Sequence, residues 1–387
     1  MSRKNTERRA AALPHKVSFS ESFGSIVSEK DFLPNDTKLQ NSKNTDLQEY
    51  AKNLARDNFV LWLDGGEIKN EFSVLPEEKL FAIKPSAALD YITNLLPESL
   101  QNIYKNTPHW KLEIKEKITK PLILILSGQN NDVQIEAAEN SALTLIEETS
   151  SQFINSCCFR NFNLADSASV KHNIARWEKK FSPRLQSYFS FSFLKANNLA
   201  SYERVGLNML DVILRDEFHV ELAEHTNISI AEACLAREKN RASYYWPVCH
   251  NQANSSSRQR FHAALTDYSR VEFFGRIQVP PHAQKTNAEQ QSRFLMLSEN
   301  AQAKARPELE ILADDVKCKH GAAIGALDKM ALFYLQARGL DEMQARMLLV
   351  EAFIADIAQD FSTPWLCDSA KAAIGSWLSG DLEKRLF

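Results

Sequence analysis

The sequence predicts a mainly β chain that ends in a small helical region. Three observations lead there. From about Trp110 to Leu312, short strand-like apolar runs recur with polar breaks between them. Regular helical stretches of about 10–15 residues do not separate these runs, so βαβ units are not expected. After Gly325 the apolar spacing switches to the helical period near 3.6.

Residues 1–48 are polar and lack a sustained period, which reads as a mobile arm with one short helix. Its first 16 residues carry Arg3, Lys4, Arg8, Arg9 and Lys16 against Glu7. They lack the apolar stretch of a secretory signal, and a solvated tail is the expectation over an organelle-targeting peptide. Residues 58–74 read as a hairpin, with Phe59 to Leu63 outward, Asp64-Gly65-Gly66 turning and Ile68 returning. Residues 86–96 read as a helix on Ala88, Leu89, Ile92, Leu95 and Leu96, broken or restarted at Pro97.

The strand-like runs are Leu122–Leu126, Ala142–Ile146, Leu210–Leu214, Phe218–Leu222, Ile228–Ile230, Phe273–Val279 and Leu309–Leu312. Most read as 3–7 residues long. Turns are expected at Asn130-Asn131, Asn197-Asn198, Asn251 and Asn254, because Asn tolerates the left-handed conformation. A sandwich, a barrel and a β-helix all read this way, and no clean internal period decides among them.

In the tail, Asp328 caps a helix ending at Arg338, with Gly339 following. Asp341 opens a second helix, where Met343, Met347, Val350, Ile354 and Ile357 form one apolar stripe. A third, near 367–378, carries Cys367, Ala370, Ile374 and Trp377, with Gly375 an unfavourable residue inside it. These stripes serve packing first, and a groove-binding face for a partner is the alternative.

Composition excludes several functions. Eleven of 387 residues are glycine, well under half of the usual ~7%. The chain has no Walker-type phosphate loop, no dinucleotide turn, no kinase glycine loop and no nucleophile elbow. The net charge of -3 gives no general field for nucleic acid. Apolar runs long enough for a transmembrane helix do not occur. Six cysteines form no C-x-x-C pair, which suits a reduced cytoplasmic protein.

The densest polar cluster is Ala313-Asp314-Asp315-Val316-Lys317-Cys318-Lys319-His320-Gly321. Read as a strand, it points Val316, Cys318 and His320 to one face and Asp315, Lys317 and Lys319 to the other. A thiolate and an imidazole two residues apart can lean onto one iron, zinc or copper(I) centre. Two ligands do not complete a four-coordinate site, so more must come from elsewhere or from another chain. On spacing alone, Cys318 reads as core and His320 as a strand-end residue. Asp314-Asp315 reads as turn and surface. The vicinal Cys157-Cys158 pair points apart, and His219 with Glu221, His225 with Glu224, His250 beside Cys249, and His282 give weak signals.

These residues carry a resemblance. The words Phe273-Phe274-Gly275-Arg276-Ile277-Gln278-Val279, Ala283-Gln284-Lys285-Thr286-Asn287 with Gln290, Pro307-Glu308-Leu309-Glu310-Ile311, the 313–321 cluster, Leu332-Phe333-Tyr334-Leu335 and Arg338-Gly339 occur in order. Together they resemble the SufB/SufD family of iron–sulfur cluster assembly proteins. The Asp314 to Gly321 word matches the SufD branch more than the SufB branch. Ala323 and Gln336-Ala337 depart mildly from the family pattern.

The resemblance implies a right-handed parallel β-helix core flanked by N-terminal and C-terminal α-helical domains. The implied division is 1–107 for the arm, hairpin and helices, 108–326 for the β-helix, and 327–387 for an ATPase-binding helical domain. It implies a non-catalytic scaffold that pairs with a SufB-like paralogue through the β-helix end and with a SufC-like ABC-type ATPase through the C-terminal helices. It also implies His320, and with less weight Cys318, as ligands to iron or nascent cluster at the paralogue interface. No stably bound cofactor is expected, and a homodimer is a further expectation for the isolated chain. The competing readings are a β-helix polysaccharide lyase or hydrolase, and a homodimeric interaction module without a cluster role.

Overall fold

A computed structural model describes residues 44–385, apart from 97, 150–154, 178–186 and 210–211. The expectations for the arm, Pro97 and Leu210 fall wholly or mostly outside the described residues. The chain winds into a parallel β-solenoid of about six turns with helices at its C-terminus. From His109–Ile114 onward, successive strands alternate between two sheets. One has ten strands and runs from Lys317–Ala326 at one edge to the hairpin strand Glu67–Ile68 at the other. The second has nine strands and runs from Gln302–Ile311 to Phe81–Pro85. Parallel pairing therefore resolves the choice that spacing left among sandwich, barrel and β-helix.

The expected hairpin is present, with Leu63 opposite Ile68 and Gly65 and Gly66 both at positive φ. The helix expected over 86–96 is shorter, spanning Asp90–Leu95. Leu89 is extended and its N–H is held by the Tyr104 hydroxyl at 3.1 Å, which keeps it out of the helix. A further helix, Glu98–Asn106, follows, which is the restart that Pro97 left open.

The main correction concerns strand length. Solenoid strands from Asn130 to Ala326 run 8–10 residues, longer than the apolar runs. Leu214 and Phe218 belong to one strand, Ile213–Leu222. The intervening Arg215-Asp216-Glu217 read as a break, yet all three are buried. Asn130-Asn131 likewise begins a strand. Turns use left-handed residues of several types, among them Asn140, Asn254, Ser167, Leu199 and Lys285. Register steps vary as well: Ser169 pairs with Ser201, Ser201 with Asn227 and Asn227 with Ser256. Unequal turns hide the period from the sequence.

Strand alternation then sorts side chains into two environments. Inward residues such as Leu124, Leu145, Tyr202, Trp246 and Phe261 fill the interior. Outward residues of the ten-stranded sheet, including Val205, Ala233 and Ala264, share a core with the helices Glu342–Ala358 and Pro364–Arg385. Val350, Ile354, Ile357, Ala370 and Ile374 are fully buried there, as the stripes foresaw. The Asp341 capping box and the Asp328 cap are both formed. Cys157 faces outward onto Phe159 and Phe189, and Cys158 faces inward, so the vicinal pair points apart.

Charges are packed inside the solenoid. Arg204 meets Asp216 at 2.9 Å and Glu232 at 2.8 Å. Arg176 reaches the same two carboxylates at 3.1 and 3.3 Å. Arg160 pairs with Glu147, which His172 contacts at 3.3 Å. Burial alone would raise the Asp216 carboxyl, but Arg204 and Arg176 outweigh it and hold it below the ordinary carboxylate value. Burial pushes the His172 imidazole down to about 4, so it is neutral at pH 7. Three guanidinium groups thus balance three carboxylates in the buried interior. Gly206 belongs to this arrangement, because a Cβ there would lie 2.5 Å from the Glu232 carboxylate.

Two tests follow from this interior. Arg204→Met leaves Asp216 and Glu232 undercompensated and should cost about 3–5 kcal/mol in denaturant melts. Both His172 and His250 have folded-state values near 4, below the ordinary 6.5. Their neutral-state contribution is complete above pH 6.5 and is lost as the pH falls towards 4, where the unfolded chain takes up more protons. The double variant His172→Gln/His250→Gln should flatten Tm against pH over that window, and an unchanged slope would refute the assignment.

Candidate functional site at the open end of the solenoid

The last two strands, Gln302–Ile311 and Lys317–Ala326, are the edges of their sheets. Neither has a following strand among the described residues. Inward residues of the final turn are therefore uncovered, and Ile324 is 51% exposed. This end carries the residues singled out by sequence.

Cys318 is in register with Ala288, and His320 with Gln290. Lys319 points outward and pairs with Glu289 at 3.2 Å. By alternation, Cys318 and His320 share the inward row, as the sequence indicated. The two differ in burial. Cys318 is half-buried against the corner formed by Ile277, Val279, Ala288 and Leu309. Desolvation raises its thiol above the ordinary value. His320 is exposed, because the turn that would cover it does not follow. No group of three or more His, Cys, Asp or Glu residues able to hold a metal occurs among the described residues. Cys318 and His320 together offer two donors, fewer than the four of a closed tetrahedral metal site.

Asp314 and Asp315 are exposed turn residues, and the Asp315 N–H donates to Gln284 Oε1 at 2.9 Å. The weak histidine signals are structural. His219 lies between the Phe191 and Tyr245 rings, 3.3 Å from Glu217. His250 is held by the Ser255 and Ser257 hydroxyls at 2.7 and 2.8 Å. His225 is a turn residue at positive φ, beside Glu224 at 3.6 Å. His282 is held to the Asn251 carbonyl at 2.7 Å.

Sequence reasoning missed three features. One is the interior ionic core. Another is a groove of about 740 Å³ on the outer face of the nine-stranded sheet. Lys195, Glu221, Cys249 and Gln278 follow one another there in register. Burial pushes the Cys249 thiol up to about 11, so it is not a ready nucleophile. The third is an amide row beneath His320. Gln290 is buried and donates to Gln259 Oε1 at 2.5 Å. Gly275 makes room for it, since a Cβ there would fall 2.1 Å from Gln290 Nε2. Both residues stood in the matching words, but their mutual contact is a long-range fact that spacing does not carry.

A second surface adjoins this end. The helix Lys329–Ala337 has no buried residue. Met330, Phe333 and Tyr334 are 74, 66 and 57% exposed. This helix departs from its two successors, whose apolar stripes are covered.

Fold and site together define a solenoid with an unfinished end, where a thiol and an imidazole share the inward row beside an uncovered apolar helix. The SUF system FeS cluster assembly, SufBD core domain matches residues 123–353, more than half of the chain. The chain belongs to the SufB/SufD family. It is similar to the iron–sulfur cluster assembly protein SufD of Escherichia coli, 25% identical over 298 residues, covering 72% of this chain and 69% of that one. The chloroplastic protein ABCI7 of Arabidopsis thaliana is 26% identical over 383 residues, covering 90% and 78%. A SufBD family protein of Synechocystis is 42% identical over 107 residues, covering 28% and 24%. These similarities support the SufD branch and a role in iron–sulfur cluster assembly.

The burial pattern sets thiol reactivity. Cys157, Cys158 and Cys234 are buried, and Cys249, Cys318 and Cys367 are partly exposed. Alkylation of the native chain at pH 8, read by peptide mass spectrometry, should label the second group and spare the first. Labelling should be slower than for a free thiol, because all three accessible thiols are raised by desolvation.

Proposed function

We propose that this chain is a non-catalytic scaffold subunit of a SUF-type complex that builds or loads nascent iron–sulfur clusters. The observation that carries this reading is the uncovered final turn, with Cys318 and His320 on its inward row. An unpaired parallel edge is a template for another strand. A SufB-like solenoid ending in the same way would cover this row and supply the missing ligands. Iron or nascent cluster is the cargo at that junction. His320 offers a borderline imidazole donor, and Cys318 a thiol whose raised pKa keeps it protonated until a metal competes for it.

A SufC-like ABC-type ATPase would occupy the uncovered face of the helix Lys329–Ala337. ATP binding then acts in trans, which suits a chain without a phosphate loop. Two residues, Leu327 and Asp328, separate this helix from the strand bearing His320. Closure of two ATPase subunits would pull on that strand and open the junction. Free thiols throughout suit work in a reducing compartment.

Two variants test the two surfaces separately. Phe333→Glu should abolish co-purification with the ATPase while leaving stability within about 0.5 kcal/mol, because the side chain is mostly exposed. His320→Ala should leave the three-protein complex assembled but lower anaerobic cluster formation by about tenfold or more. Normal cluster formation by that variant would remove His320 from the site.

A further inference from the structure

Beneath His320, the solenoid interior carries a row of side-chain hydrogen bonds that all run the same way. Gln259 Nε2 donates to the Trp246 carbonyl at 3.4 Å. One turn further on, Gln290 Nε2 donates to Gln259 Oε1 at 2.5 Å. The Gln259 amide thus donates across the interior to the preceding strand of the other sheet, and the Gln290 amide donates back to the preceding turn. Each carbonyl oxygen is left for the next. Gln259, Gln290 and His320 are consecutive register partners in the ten-stranded sheet.

The row stops one donor short. Gln290 is 1% exposed, yet its Oε1 has no hydrogen-bond partner among the described residues. A buried amide oxygen without a donor has lost its water and gained nothing in return. The position is also held at some sacrifice across the interior. Gly275 lies opposite, and any Cβ there would collide with the Gln290 amide. A chain this poor in glycine places one where this amide needs space. The next residue in the row is His320, and an imidazole N–H is a donor of the kind that is missing.

We propose that Gln290 is a positioning residue for His320, its Oε1 accepting the imidazole N–H and fixing which ring nitrogen keeps the lone pair. This rests on the reading of His320 as a ligand at the junction. A metal-binding histidine generally donates its second ring N–H to a carbonyl or carboxylate, which orients the ring and sets its tautomer. Here the acceptor is the end of a polarised amide row, and hydrogen bonds in such a row strengthen one another. The buried row would deliver a ring already set before cargo arrives.

The test uses the full chain, labelled with 15N at histidine and free of metal, at pH 8. The ring-nitrogen shifts of His320 are assigned by their loss in His320→Ala. Wild type should show one dominant tautomer. Gln290→Met keeps the length and removes the acceptor, and should lower the tautomer ratio about tenfold. Gly275→Ala, which displaces the amide without touching it chemically, should act in the same direction. Gln290→Glu restores an acceptor and should restore the single tautomer. A His320 ratio unchanged in both Gln290→Met and Gly275→Ala, with native backbone spectra, overturns the inference. Cluster formation by His320→Ala in the assembled complex separates the two claims. If it is normal while the tautomer shift stands, positioning is supported and the ligand reading fails.

Discussion

A parallel solenoid is held by one recurring requirement: each turn is completed by the next. Backbone N–H and C=O groups of a strand find partners only on neighbouring strands. Inward side chains find cover only in the turns above and below. At the solenoid's first described turn the hairpin meets this need, because Glu67–Ile68 folds back antiparallel on Phe59–Asp64. At the other end no described strand does so. The final turn keeps the geometry of an interior turn and the exposure of a surface. That combination makes Cys318 and His320 available without any special loop to present them.

The same requirement explains how charge is carried inside. Here Arg160, Arg176 and Arg204 stand against Glu147, Asp216 and Glu232 on strands from both sheets. Desolvating these groups is costly, and the gain comes from dense mutual pairing, from the Tyr188 hydroxyl that accepts from Arg160 and from the Trp246 indole that donates to Asp216. Pairs that link one sheet to the other also fix the register of successive turns. A slip of one residue would place a guanidinium against an apolar wall. Unequal turns need such a pin more than a strict repeat does.

This interior also marks how far the sequence could be read. The hairpin, the caps at Asp328 and Asp341 and the stripe from Met343 to Ile357 were legible, because each is set by neighbours a few residues away. The inward row of Cys318 and His320 was legible for the same reason, since it follows from period 2 alone. Strand lengths were not. Arg215-Asp216-Glu217 looks like a loop until its partners on distant strands are known, and nothing local says that a charged triplet is buried. The parallel arrangement itself came from family words, as the register steps differ from turn to turn. Gln290 and Gly275 stood among those words, but their meaning is a contact across the interior.

Glycine shows the difference between composition and placement. Its scarcity excluded the common nucleotide loops from the chain. Inside the solenoid its few occurrences become specific. Gly206 yields to the Glu232 carboxylate and Gly275 to the Gln290 amide, each at a point where a buried polar side chain needs the space of a Cβ. At the open end, Gly321 and Gly325 meet nothing within 4 Å. They clear no interior side chain, and they lie on the one strand that joins His320 to the uncovered helix. A strand interior with two glycines is weak by itself, through backbone entropy and lack of packing. Along this strand the chain gives up intrinsic rigidity at the one turn of the solenoid that no described strand covers.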